Sequence, residues 1–115
     1  MAEIVGLMDD LFFQMKVLET AKQLGLQFKV ANTADSLMEL VATSKLVIVD
    51  LNARSGAIPA IERVRAENNG VRIVGFLSHV QVDLAEQARA AGCDEVMPRS
   101  KFTQNLAQIL GSAKE

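Results

Sequence analysis

Residues 44–56 read SKLVIVDLNARSG, and how they are read decides the fold. Leu46, Val47, Ile48 and Val49 form an unbroken apolar run rich in β-branched residues, the pattern of a strand buried on both faces. Asp50 follows at once. A carboxylate at the end of a buried strand loses hydration unless something compensates it. Asp50 is therefore either the first residue of a solvated loop or part of a site.

Working outward, four more short apolar or β-branched stretches read as strands: EIVGLM (3–8), LQFKVA (26–31), VRIVGFL (71–77) and DEVM (94–97). Segments of helical period separate them. Phe13, Val17, Ala21 and Leu24 share one face, with Lys16, Glu19 and Lys22 on the other. Leu37, Leu40 and Val41 mark a second helix. Ile58, Ile61 and Val64 mark a third, with Pro59 acceptable in its first turn. Leu84, Ala88 and Ala91 mark a fourth, and Phe102, Leu106, Ile109 and Leu110 a fifth. Gly25, Gly70 and Gly92 each stand between a helical pattern and the next strand, where a left-handed residue often ends a helix. Strict alternation of strand and helix predicts an α/β fold: a flavodoxin-like, doubly wound, five-stranded parallel sheet of order 2-1-3-4-5 with five helices. The weak alternation of the second strand suits an edge.

Composition agrees with one ordinary globular domain over residues 1–115, half of them hydrophobic and 23% charged. A net charge of −2 leaves no electrostatic footprint for nucleic acid, and the Lys and Arg residues are scattered. No apolar run is long enough to span a membrane, and the acidic N-terminus MAEIVGLMDD is no targeting signal. The single cysteine, Cys93, forms no internal disulfide, so a cytoplasmic setting is expected with Cys93 as a small buried filler. Walker and dinucleotide glycine patterns are missing, as is a Cys/His cluster for zinc. The stretch MDDLFFQM after the first strand is not the Ser/Thr/Gly-rich loop a flavin phosphate would want, and Phe12 and Phe13 are expected to pack in the core and at the helix edge.

In such a sheet the site lies beyond the carboxyl ends of the strands, at the switch between the first and third. Asp9 and Asp10 end the first strand and Asp50 ends the third, so the topology brings the three acids to one rim. Crowded carboxylates repel one another unless some are protonated or a cation joins them. Hard oxygen donors without His or Cys suit Mg²⁺. A carboxylate beside such a cation is a reasonable phosphoryl acceptor. The plainer reading is that strand ends meet loops and loops favour Asp; the coincidence of three acids at the switch point favours a site.

The stretches GLMDDLF, VIVDLN, IVGFLSHV and GCDEVMPRSKF, taken in order over the whole chain, resemble the four signatures of a response-regulator receiver domain. The resemblance implies that Asp9 and Asp10 hold Mg²⁺ together with Asp50 and the backbone carbonyl of Asn52. It implies that Asp50 accepts a phosphoryl group from a sensor histidine kinase or phosphotransfer protein. Ser78 would bond that group, and Arg99 would pair with its oxygens from the position where the family carries Lys. The chain would be no enzyme but a single-domain regulator, with no output domain after the fifth helix, signalling to a downstream protein partner commonly through the face of helix 4, strand 5 and helix 5. Departures from the pattern are Arg99 itself, Ser100 in place of the following Pro, His79 in place of a small residue, and Val96 in place of an aromatic. Lys101 is a second, more distant cation. Together the departures define an alternative, a pseudo-receiver that binds partners independently of phosphorylation.

Overall fold

The computed structural model describes residues 3–54, 56–67, 70–78 and 81–114. The strand read from residues 46–49 is β3 (Leu46–Asp50), and every residue in it is buried. It pairs in parallel with β1 (Ile4–Leu7) on one side and β4 (Arg72–Leu77) on the other. Strands β2 (Phe28–Ala31) and β5 (Glu95–Pro98) close the two edges, giving the parallel order β2-β1-β3-β4-β5 that the alternation predicts. Lys29 on β2 is exposed, which is why that strand reads as a weak alternation.

The pleat sorts the strand residues into two cores. Val5, Leu7, Val47, Val49, Ile73 and Leu77 face one side, where they meet α2 (Ala34–Val41), α3 (Ala57–Glu67) and α4 (Val82–Ala91) through Leu37, Ile61 and Ala88. Ile4, Leu46, Ile48, Val74 and Phe76 face the other, against α1 (Leu11–Gln23), α5 (Arg99–Gln104) and α6 (Leu106–Gly111) through Phe13, Phe102 and Leu110. A sheet covered on both faces needs continuous apolar strands, since alternation would point polar groups into one of the cores. Each fully buried Val, Leu or Ile contributes about 1.5–3 kcal/mol against the chain entropy of folding.

Helix ends follow the expected chemistry. Helix α1 closes on Gly25 at φ 73°, with the Leu26 N–H bonded to the Ala21 carbonyl at 2.9 Å, a Schellman turn. Gly92, at φ 122°, closes α4 in the same way, the Cys93 N–H bonding the Ala88 carbonyl at 3.0 Å. Gly70 adjoins residues 68–69, which lie outside the described residues. Pro59 sits in the first turn of α3.

Two expectations need correction. The single fifth helix is two, α5 and α6, so six α-helices are present among the described residues. The break is at Asn105, whose side-chain Nδ2 and backbone N–H both donate to the Lys101 carbonyl, at 3.0 and 3.1 Å. An Asn side chain that competes for backbone acceptors disturbs a helix at that turn. Phe12 is not packed: it is 88% exposed, one of a stripe on α1 with Leu11, Met15 and Leu18.

Candidate functional site

The first, third and fourth strands end along one rim, and the loops that follow them enclose a cleft of about 720 Å³. Asp9 and Asp10 enter it from the β1–α1 loop, Asp50 and Asn52 from the end of β3, and Ser78 from the residue after β4. Arg99, the first residue of α5, reaches the same group of acids from β5. The rim predicted from topology thus brings all six residues together.

Asp50 is the one buried charged residue among the described residues, at 6% exposure. Its Oδ1 accepts the Asn52 N–H at 2.9 Å. Its Oδ2 faces the Arg99 guanidinium at 3.8 Å, an ion pair beyond hydrogen-bond reach. Burial pushes its carboxyl above the usual range; the Asn52 amide and Arg99 oppose the rise, and the charges of Asp9 and Asp10 add to it.

Asp10 has two duties. Its Oδ1 caps α1, accepting the N–H groups of Phe12 and Phe13 at 3.0 and 3.2 Å. Its Oδ2 accepts Arg99 Nη1 at 3.2 Å. The Phe13 amide does most to hold its carboxyl below the usual range; burial opposes this, and Arg99 and the Phe12 amide reinforce it. Asp9 is exposed, and its Oδ2 accepts the backbone N–H of Arg54 at 2.8 Å, tying the β1–α1 loop to the β3–α3 loop.

Arg99 is held as much by rings as by acids. Its guanidinium carbon lies 4.7 Å from the Phe13 ring centroid and 5.5 Å from that of Phe76. Those rings belong to a trio with Phe102, with centroids 4.8–5.8 Å apart. Arg99 Nε is buried without a hydrogen-bond partner. A lysine could not spread one charge over two carboxylates and two rings in this way, because its ammonium is a single point.

Sequence reasoning assigned Asn52 only through its carbonyl and missed its side chain. Asn52 Oδ1 accepts both the N–H and the hydroxyl of Ser78, at 3.0 and 3.2 Å, and its Nδ2 donates to Gln81 Oε1 at 3.0 Å. Neither Gln81 nor this bridge has a signal in the sequence, since it depends on how two loops meet. Lys101 lies away from the site, in a separate cleft with Arg72 and Glu95. Val96 packs against the core on the α4 side. Ser100 is exposed within α5. His79 lies outside the described residues. Cys93 is buried and its thiol is pushed up to about 11, chiefly by burial, as suits a core filler.

The donors on the rim are all oxygens, three of them carboxylates, which is the chemistry Mg²⁺ takes. In this conformation they do not converge: among the described residues no three acidic, His or Cys side chains stand close enough to share a metal ion. The donor set fits the ion, and Asp10 is turned to Arg99.

No family model and no curated protein matches the chain. Solved structures do. The chain is similar to the receiver domain of NtrX from Brucella abortus, with a TM-score of 0.81 at 16% identity over 96% of each chain. It is similar to a CheY-like response-regulator receiver domain from Methanospirillum hungatei, with a TM-score of 0.78 at 13% identity over 96% of this chain and 94% of that one. A BeF₃-activated DrrB receiver domain gives a TM-score of 0.83 at 15% identity over 99% and 97% of the two chains. The chain therefore has the receiver-domain fold.

Proposed function

We propose that this chain is a response-regulator receiver that accepts a phosphoryl group on Asp50 and signals by binding a protein partner. The observation that carries the reading is the position of Asp50: a buried carboxylate at the end of β3, opening onto a cleft lined by two further acids, Asn52 and Ser78. In the transfer, an oxygen of Asp50 forms a bond to phosphorus as the bond from phosphorus to the donor nitrogen of a phosphohistidine breaks, and the imidazole leaves with its electron pair and takes up a proton. Arg99, already facing Asp50 Oδ2, stands where negative charge would gather on the transferred group. Ser78 lies on the same rim, and its hydroxyl would exchange Asn52 for a phosphoryl oxygen. Asp9, Asp10, Asp50 and the Asn52 carbonyl would hold Mg²⁺, which when bound supplies positive charge against the incoming anion.

The donor is a sensor kinase or phosphotransfer protein. The exposed Leu11, Phe12 and Met15 on α1, beside Asp10, support a protein docking next to the acceptor. The chain is an acceptor in this reading and no enzyme, and its setting is the cytoplasm. Signalling follows as a population shift, in which the new charge at Asp50 redraws the contacts of Ser78 and Arg99. Incubation with a small phosphodonor and Mg²⁺ tests the proposal. The wild type is expected to gain the mass of one phosphoryl group and Asp50→Ala none; no gain, or an equal gain on both, rejects it. The pairing of Arg99 with Asp10 favours a second reading, a phosphorylation-independent interaction module. That reading requires partner binding to be unchanged in Asp50→Asn.

A further inference from the structure

The less engaged carboxylate oxygens of Asp10 and Asp50 are the two that face Arg99. On Asp10, Oδ1 is committed to the amides of Phe12 and Phe13, which leaves Oδ2, and Oδ2 accepts Arg99 Nη1 at 3.2 Å. On Asp50, Oδ1 accepts the Asn52 amide at 2.9 Å, and Oδ2, the less engaged of the two oxygens, faces Arg99 Nη2 at 3.8 Å. One planar head thus lies along the open edges of both carboxylates. It cannot leave by losing its proton, because a guanidinium stays charged at any ordinary pH. The rings of Phe13 and Phe76 hold it from behind, at 4.7 and 5.5 Å.

We propose that Arg99 is a resident competitor of the divalent cation, so that metal enters the Asp10–Asp50 edge only as the guanidinium withdraws. The proposal rests on the reading that the cleft takes Mg²⁺. Mg²⁺ demands close, nearly octahedral oxygen ligands. A cation held by these carboxylates would be repelled by the fixed positive charge of Arg99, which stands 3.2 Å from Asp10 Oδ2 and 3.8 Å from Asp50 Oδ2. Metal occupancy and the position of Arg99 become one equilibrium, in which the charge that would greet a phosphoryl group is released from Asp10 by the cation itself.

Titration of the protein with MgCl₂ alone, followed by amide NMR at residues 9, 10, 50 and 52, tests this without any phosphodonor. Arg99→Gln is expected to bind Mg²⁺ on the order of fivefold more tightly than the wild type. Arg54→Gln is the control for loss of a charge on the same rim, since Arg54 meets Asp9 through its backbone N–H. It is expected to tighten binding by roughly twofold or less. In the wild type, the Arg99 Nε–H signal and the Phe13 and Phe76 ring protons should move in step with the metal-site amides, a readout that survives even if Arg99→Gln does not fold. Equal tightening in the two variants, or a stationary Arg99 signal while the amides saturate, overturns the competition and leaves the cation reading standing. Absence of Mg²⁺ binding in every variant overturns both, whereas failure of Asp50 to take phosphate touches neither.

Discussion

Asp50→Asn should stabilise the protein at neutral pH, although it alters the residue on which the function is proposed to turn. The carboxylate offers about four lone-pair sites, and the structure fills one of them with the Asn52 N–H at 2.9 Å. Arg99 faces the other oxygen from 3.8 Å, too far for a hydrogen bond. Asp9 and Asp10 share the cleft and repel it. A buried charged group left short of partners costs about 1–3 kcal/mol, and the attraction of Arg99 returns part of that. Asn keeps the shape, and its amide oxygen can take the Asn52 N–H. The expected net gain is about 1–2 kcal/mol at pH 7.

The pH dependence has a definite sign. The folded-state carboxyl of Asp50 lies above its ordinary value of 3.8, so the folded chain holds this proton more tightly than the unfolded one. The burden on the wild type is absent below the unfolded value, grows as pH rises through the window between the two, and is complete above the folded value. The advantage of Asp50→Asn should therefore be small near pH 4 and reach its full size by neutrality. Urea unfolding followed by far-UV circular dichroism is the suitable assay, because the chain has no Trp and no Tyr for fluorescence. A variant no more stable than the wild type at pH 7, or a gain that is constant from pH 4 to 7, would refute the reasoning.

Arg65 is a different kind of arginine. Its head donates to the Gly92 carbonyl at 2.7 Å, the Val71 carbonyl at 2.9 Å and Asp94 Oδ2 at 2.9 Å, stapling α3 to the starts of β4 and β5, so Arg65→Met should lose about 2–4 kcal/mol in the same urea assay. Gly92→Ala places a methyl in a left-handed backbone, 2.8 Å from Arg65 Cγ, and should lose about 1–3 kcal/mol, with a lowered melting temperature as the readout. The Cys93 thiol, buried and raised to about 11, should react with a thiol reagent at pH 8 only as fast as the protein opens, and at once in denaturant. Asn52→Ala removes the bridge to Ser78 and Gln81, and amide relaxation at residue 78 should report faster motion with little change in stability.

What was legible in the sequence followed from burial and period. Val47, Ile48 and Val49 read as a doubly covered strand because both of their faces are apolar, and once five such strands alternate with helices the sheet order and the rim follow from connection rules. That rule alone brings Asp9, Asp10 and Asp50 to one cleft. What was not legible depends on side chains meeting across distance. Arg99 looks in sequence like a stand-in for lysine, but its forked head lies on two aromatic rings and two acids at once, which no spacing encodes. The Asn52 bridge joins loops 26 residues apart and leaves no periodic trace. Phe12 was misjudged because its neighbour Phe13 takes the inward position on α1, leaving Phe12 to solvent. Asn105 breaks the last helix through its own side chain, an effect too local to show in the pattern of Phe102, Leu106 and Ile109.

The most direct test of the account is to locate the phosphoryl group. Protein treated with a small phosphodonor can be reduced with borohydride, which converts an acyl phosphate to an alcohol, and digested for tandem mass spectrometry. The account predicts a reduced side chain at residue 50, in the peptide carrying LVIVD, and no other modified carboxylate. A modification at Asp9 or Asp10, or one on Ser78, would contradict it.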